Sequence, residues 1–217
     1  MKARIKFSKT GNVKFIGHLD VMRYFQKLIR RAKLDVTYSK GFHPHQIMSF
    51  TSPLSVGVES VGEYFDIETN SKIDPDYAVK ALNEHTVDDI KVLEYIELPD
   101  DAKKGMAILA AADYLVDMKF DDETISEFLN QDSIEVLKKT KRSEKVVDIK
   151  PMIYDLKNND DKLFIKLAHG SKANLKPGLV VEALCKFSGI DMPKFLKVCR
   201  IEMYYEKEGK LLPLDEV

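Results

Sequence analysis

Pro75-Asp76-Tyr77-Ala78-Val79-Lys80-Ala81-Leu82 and Pro177-Gly178-Leu179-Val180-Val181-Glu182-Ala183-Leu184 align without a gap at an offset of 102 residues. Each begins with a proline, whose fixed φ and missing N–H suit the first helical position. Asp74 stands before the first of them as a side-chain cap. The apolar residues that follow fall on matching helical faces, with Tyr77, Ala78, Ala81 and Leu82 on the first. An amphipathic helix recurring after about 100 residues points to a duplicated unit rather than to one large domain.

The surroundings of the two helices agree with this. Before the first, residues 4–7 alternate like a half-wet strand, residues 8–11 have turn chemistry, and residues 13–16 continue extended to Gly17. Residues 19–34 carry a helical stripe of Val21, Met22, Phe25, Leu28, Ile29 and Ala32, with Asp20 in the first turn, where a negative charge suits the helix dipole. Residues 47–54 and 63–68 read as strands, and residues 91–97 as the strand after the Pro75 helix. Beyond a linker at 99–105, residues 114–120 predict a strand and 122–129 a helix. Residues 148–156 and 162–167 predict two more strands, followed by the Pro177 helix and a last strand over 196–205. Both halves thus run strand–helix–strand–strand–helix–strand. The expected fold is α+β, two tandem ferredoxin-like βαββαβ units with antiparallel sheets, one over residues 1–100 and the other over 110–217.

Composition places the chain among ordinary globular proteins, with 44% apolar and 32% charged residues in 217. No apolar run reaches the roughly 18 residues that cross a bilayer, and residues 1–7 lack the apolar stretch of a signal peptide. A cytoplasmic protein is expected. Cys185 and Cys199 are the only cysteines, too few for a disulfide framework or a four-cysteine metal site. The net charge of −1 conceals a segregation: residues 1–45 hold eleven Lys/Arg against two acids, and residues 66–132 hold eighteen acids against six bases. Such a chain can present an anion-attracting face while staying near neutrality.

The basic segment supplies the candidate site. Arg23, Lys27, Arg30 and Arg31 share one face of the predicted helix, and Tyr38-Ser39-Lys40-Gly41-Phe42-His43-Pro44-His45 follows it. Cations neutralise phosphates, and Tyr38 and Phe42 offer rings on which unpaired bases stack. The predicted RNA- or anion-binding set is therefore Arg23, Lys27, Arg30, Arg31, Tyr38, Lys40, Phe42, His43 and His45, with His18 and Asp20 as additional members. If Phe42 instead plugs the core beneath the loop, its loss would cost stability rather than binding. A metal site of His18, His43 and His45 with Asp20 is the weaker reading, since neighbouring arginines repel a cation. No phosphate-binding glycine loop or nucleophile elbow occurs, so no catalytic residue is assigned.

Gly17-His18-Leu19-Asp20, Arg30-Arg31-Ala32, Tyr38-Ser39-x-Gly41-Phe42-His43-Pro44-His45, Pro53-Leu54-x-x-Gly57 and Glu63-Tyr64-x-Asp66 also resemble the signature of the radical-SAM-linked protein family, a bacterial domain of unknown function. Lys145-x-x-Asp148-Ile149-x-Pro151 and Leu175-x-Pro177 extend the resemblance along the chain. The resemblance implies a radical-SAM protein as partner, in settings concerned with RNA. The cluster-binding Cys-x₃-Cys-x₂-Cys run is absent, so any iron–sulfur cluster and SAM would belong to that partner and no cofactor is expected in this chain. The expected function is an accessory RNA-binding module that acts with a separately encoded radical-SAM protein in RNA modification or processing. The alternatives are an RNA-processing enzyme using His18, His43 or His45, and a protein–protein adaptor whose partner face is the acidic segment 66–132.

Overall fold

The helix start read from Asp74 and Pro75 forms as expected: Asp74 Oδ1 accepts the Tyr77 N–H at 2.8 Å and caps a helix over Pro75–Asn83. The computed structural model describes residues 1–139 and 144–216. Its first half runs β1 (Lys2–Lys9), α1 (His18–Arg31), β2 (Met48–Phe50), β3 (Glu59–Glu68), α2 (Pro75–Asn83) and β4 (Ile90–Leu98). One helical turn, α3 (Gly105–Ile108), leads into β5 (Leu109–Val116), α4 (Asp122–Asn130) and a hairpin of β6 (Glu135–Lys139) and β7 (Glu144–Asp148). Then follow β8 (Ile153–Asn159), β9 (Lys162–Ala168), α5 (Pro177–Ser188), β10 (Val198–Lys207) and β11 (Lys210–Pro213).

The protein is a mixed α+β structure around one nine-stranded, mostly antiparallel sheet. Its order is β4-β1-β3-β10-β5-β9-β8, with β2 paired to β3 and β11 to β10. The first half reads β4-β1-β3-β2 and the second β10-β5-β9-β8, so both use the same order of fourth, first, third and second strand. They join where β10 lies parallel to β3 over Cys199↔Glu59 and Arg200↔Ser60. That contact is close. A Cβ on Gly62 of β3 would meet the Ile201 carbonyl carbon at 2.9 Å and Glu202 Cα at 3.0 Å.

One face of the sheet carries the core. In the first half Phe7, Phe25, Phe50 and Phe65 interlock with ring centroids 4.6–6.0 Å apart, beneath Leu28 and Ile29 of α1. In the second, Ile165, Leu167 and Met203 of the sheet pack against Phe128, Val181 and Leu184 of the helices. Burying each such side chain contributes about 1.5–3 kcal/mol.

Several boundaries differ from the sequence-based expectation. Residues 13–16 are not extended: Gly11, at φ +55°, starts a 3₁₀ turn over Gly11–Phe15, and the Ile16 N–H bonds Val13 O at 3.0 Å. The strand expected over 47–54 is only Met48–Phe50, because the chain leaves β3 before Pro53, which has no N–H for a ladder. The fifth strand, expected over 114–120, runs instead over Leu109–Val116, with Ala111 and Ala112 wholly buried. The strand expected over 148–156 is two strands separated by a 3₁₀ turn, Lys150–Met152, again at a proline. Tyr77, assigned to the apolar face of α2, is exposed.

Candidate nucleic-acid interface

The loop after α1 is held shut at its base. Ser39 N–H bonds His45 O at 2.8 Å, Ser39 Oγ lies 2.8 Å from His45 Nδ1, and the His45 N–H bonds Ser39 Oγ at 3.1 Å. Gly41, at φ +121°, turns the tip, a conformation that L side chains rarely adopt. Lys40, Phe42 and His43 at the tip are exposed, and the Phe42 ring stands wholly in solvent. The alternative in which Phe42 plugs the core is thereby overturned: the core place beneath α1 is already filled by Phe25, Phe50 and Phe65.

Below the tip, Arg30 of α1 and Tyr38, Pro44 and His45 of the loop line a cleft of about 160 Å³, floored by Gln26 and Gln46. Gln46 is buried and donates Nε2–H to Gln26 O at 3.2 Å, which fixes helix to loop. The structure therefore brings Arg30, Tyr38 and His45 together. Arg23, Lys27 and Arg31 lie exposed along the same helix, with Arg23 tied to Asp20 at 3.2 Å. Among the described residues Lys27, Arg30, Arg31 and Lys40 have no carboxylate partner.

His18 and Asp20 do not join this cluster. His18 opens α1, twelve residues before Arg30, which is about 18 Å of helix. There its ring meets Phe50 edge-on at 5.4 Å, and burial lowers its pKa, Glu63 and Lys9 acting on it in opposite directions. The reading that combined His18 with His43 and His45 on one metal fails on this separation.

The basic surplus of residues 1–45 is also smaller at the surface than the sequence suggests. Arg4 is buried against Asp66, with Nε 2.7 Å from Oδ1. Lys6 reaches Glu202 at 2.8 Å. Lys9 is buried, donates to the carbonyls of Lys14 and Ile16 at 3.2 and 2.9 Å, and has its pKa lowered by desolvation. These three cations, and Lys14 paired with Glu59 at 3.0 Å, hold the fold together, and Lys27, Arg30, Arg31 and Lys40 leave a positive surface on the α1 face and loop tip.

Sequence reasoning missed a second polar cluster. Arg200 of β10 makes two bonds to Glu63 of β3, at 2.7 and 3.0 Å, and its Nη1 lies 2.9 Å from His169 Nε2. Ser52 Oγ is 2.8 Å from the same nitrogen, and Tyr114 Oη is 3.4 Å from Nδ1. All of these side chains are buried, beside a cavity of about 650 Å³ at the start of α5. Guanidinium only donates, so Nε2 accepts, and His169 is neutral with its proton on Nδ1. A serine beside a histidine has the form of a nucleophile and its base. Here Arg200 occupies the lone pair that would take the serine proton, so the cluster clamps the two halves instead. No local pattern announces it, since the partners of His169 lie 31, 55 and 117 residues away.

Burial, and then the Arg200 charge, lower the His169 pKa to about 4, against roughly 6.5 in an unfolded chain. The unfolded chain binds the proton first as pH falls, so the contribution is complete above about pH 6.5 and lost by about pH 4. It amounts to about 3 kcal/mol. Chemical denaturation of wild type and His169→Gln from pH 7 to 4 measures this: the wild-type curve should lose that much more than the variant. Parallel curves would mean that His169 titrates in the fold as it does in the unfolded chain.

The model of one protein family, described as "Uncharacterized protein conserved in bacteria (DUF2344)", matches residues 2–177. No curated protein matches the chain. A chain from the crystal structure of a Cbf5-Nop10-Gar1 complex is similar at a TM-score of 0.46 and 10% identity, over 95% of this chain and 50% of that one. This chain therefore spans half the length of that one, and the likeness is too slight to bear on fold or function.

Proposed function

The chain belongs to DUF2344, a family of uncharacterized proteins conserved in bacteria, and for this member we propose the role of an RNA-binding module working with a radical-SAM protein in RNA modification or processing. We read its halves as tandem ferredoxin-like units, supported by their common order of strands. The radical-SAM partner rests on the resemblance carried by residues 17–66, 145–151 and 175–177. The observation that carries RNA binding is the wholly exposed Phe42 ring at a tip shared with Lys40 and His43, above a cleft rimmed by Arg30, Tyr38 and His45. A lone exposed phenylalanine is unremarkable; one grouped with a half-open tyrosine and unpaired cations offers stacking and phosphate contacts together.

Filter binding of single-stranded RNA tests the reading. Affinity should fall with salt by a log–log slope of about 0.7 per phosphate neutralised. Phe42→Ala should cost about 1–3 kcal/mol of binding without lowering the melting temperature. Arg30→Ala with Arg31→Ala should flatten the slope by about one to two units. Absence of binding at about 50 mM salt would end the nucleic-acid reading.

A further inference from the structure

A groove of about 810 Å³ runs over the seam of the two halves, bordered by Val58, Leu196 and Val198 at the edge of the second core. The Gly11–Phe15 turn walls it on one side, and the chain entering β10 on the other. Phe15 and Phe195 project there with 64% and 82% of their surface exposed, and Val61 of β3 and Ile201 of β10 line the floor. The walls are fixed by backbone bonds: Gly57 N–H to Lys14 O at 2.9 Å, and Asp117 N–H to Lys197 O at 3.0 Å. The aromatic rings are thus held out by anchored chain, at a site that the described residues line with strands and turns.

Each ring comes with a lysine. Lys14 Nζ lies 5.6 Å from the Phe15 ring centre, and Lys194 Nζ 5.8 Å from that of Phe195. Glu59 neutralises Lys14 at 3.0 Å, and Asp117 neutralises Lys197 at 3.2 Å. Among the described residues Lys162 and Lys194, which also line the groove, have no carboxylate partner. The groove thus has a surplus of two positive charges beside its aromatic faces.

We propose that this groove is a second RNA subsite, in which two bases of a single strand stack on Phe15 and Phe195 while Lys162 and Lys194 take the phosphates. The proposal rests on the RNA-binding reading above but on residues separate from the α1 loop. Two exposed rings beside two lysines without carboxylate partners offer stacking faces and phosphate contacts together, as a single-stranded nucleic acid uses them; an acidic peptide would need no aromatic partner for its charges. Sequence preference is weak, because stacking accepts any base.

The test is binding of a labelled oligouridine of about 20 nucleotides to wild type, Phe195→Ala, Phe195→Tyr and the pair Lys162→Ala/Lys194→Ala, with Phe42→Ala alongside. The Phe195→Ala variant should lose about 5- to 150-fold in affinity with an unchanged melt, and Phe195→Tyr should restore it. The lysine pair should flatten the salt slope by about 1.4. Wild-type affinity in all groove variants, with loss in Phe42→Ala, overturns the groove and leaves the loop reading intact. Loss in the groove variants with none in Phe42→Ala keeps the groove and removes the loop. Absence of wild-type binding removes both.

Discussion

Replacing Arg200 with methionine is expected to destabilise the protein by about 3–5 kcal/mol. Arg200 and Glu63 face each other across the parallel β3–β10 pair, at 2.7 and 3.0 Å, with side chains 2% and 4% exposed. The loss comes less from the missing attraction than from the Glu63 carboxylate left buried without a counter-charge. A double variant, Arg200→Met with Glu63→Gln, removes that stranded charge and should recover much of the stability. Urea unfolding of wild type, both singles and the double closes the cycle. A single-variant cost under about 1 kcal/mol would mean that water reaches the pair.

Gly62→Ala should be as damaging, for a steric reason. The added methyl would lie within 3.0 Å of the Ile201 carbonyl carbon and Glu202 Cα, both backbone atoms of the neighbouring strand that have no rotamer to escape into. Either β3 or β10 has to move, and β10 carries Arg200. A loss of about 3 kcal/mol or more is expected, at the upper end for overpacking. Gly178→Ala is the control: it lies in the first turn of α5, and its added Cβ meets nothing within 4 Å. That change should be neutral or stabilise by up to about 1 kcal/mol through the unfolded chain. Equal melts for the two variants would show that the seam yields.

What the sequence made legible was local. Pro75 and Pro177 start α2 and α5 where read, because proline and its neighbours act on their own backbone. The exposed cations of α1 and the tip of its loop were legible for the same reason. What escaped was whatever depends on distant chain. Arg4 and Lys6 look like a wet strand face and Lys9 like part of a turn, and only the fold brings Asp66, Glu202 and two carbonyls to them. Within Glu63-Tyr64-x-Asp66 each named residue proves to be a bonding partner, of buried Arg200, half-buried Glu202 and buried Arg4 in turn. Phe15 and Phe195, 180 residues apart, could not be read as one groove, and β6 and β7 lie in a stretch where the sequence predicted no element before residue 148.

The strand pair at the seam also sets an order of events during synthesis. Ser60 and Arg200 are 140 residues apart, a separation that ribosomes traverse in about 7–28 s at 5–20 residues per second. Throughout that interval the start of β3 has no neighbour on the side that β10 will occupy, because β2 covers only Phe65–Ile67. A nascent first half therefore presents a short open strand edge, the kind of surface that pairs with other chains. The bulge around Val61 and Gly62, in the ladder that β3 makes with β1 on its other side, bends the strand there, which makes the open edge a poor template for any strand but its own.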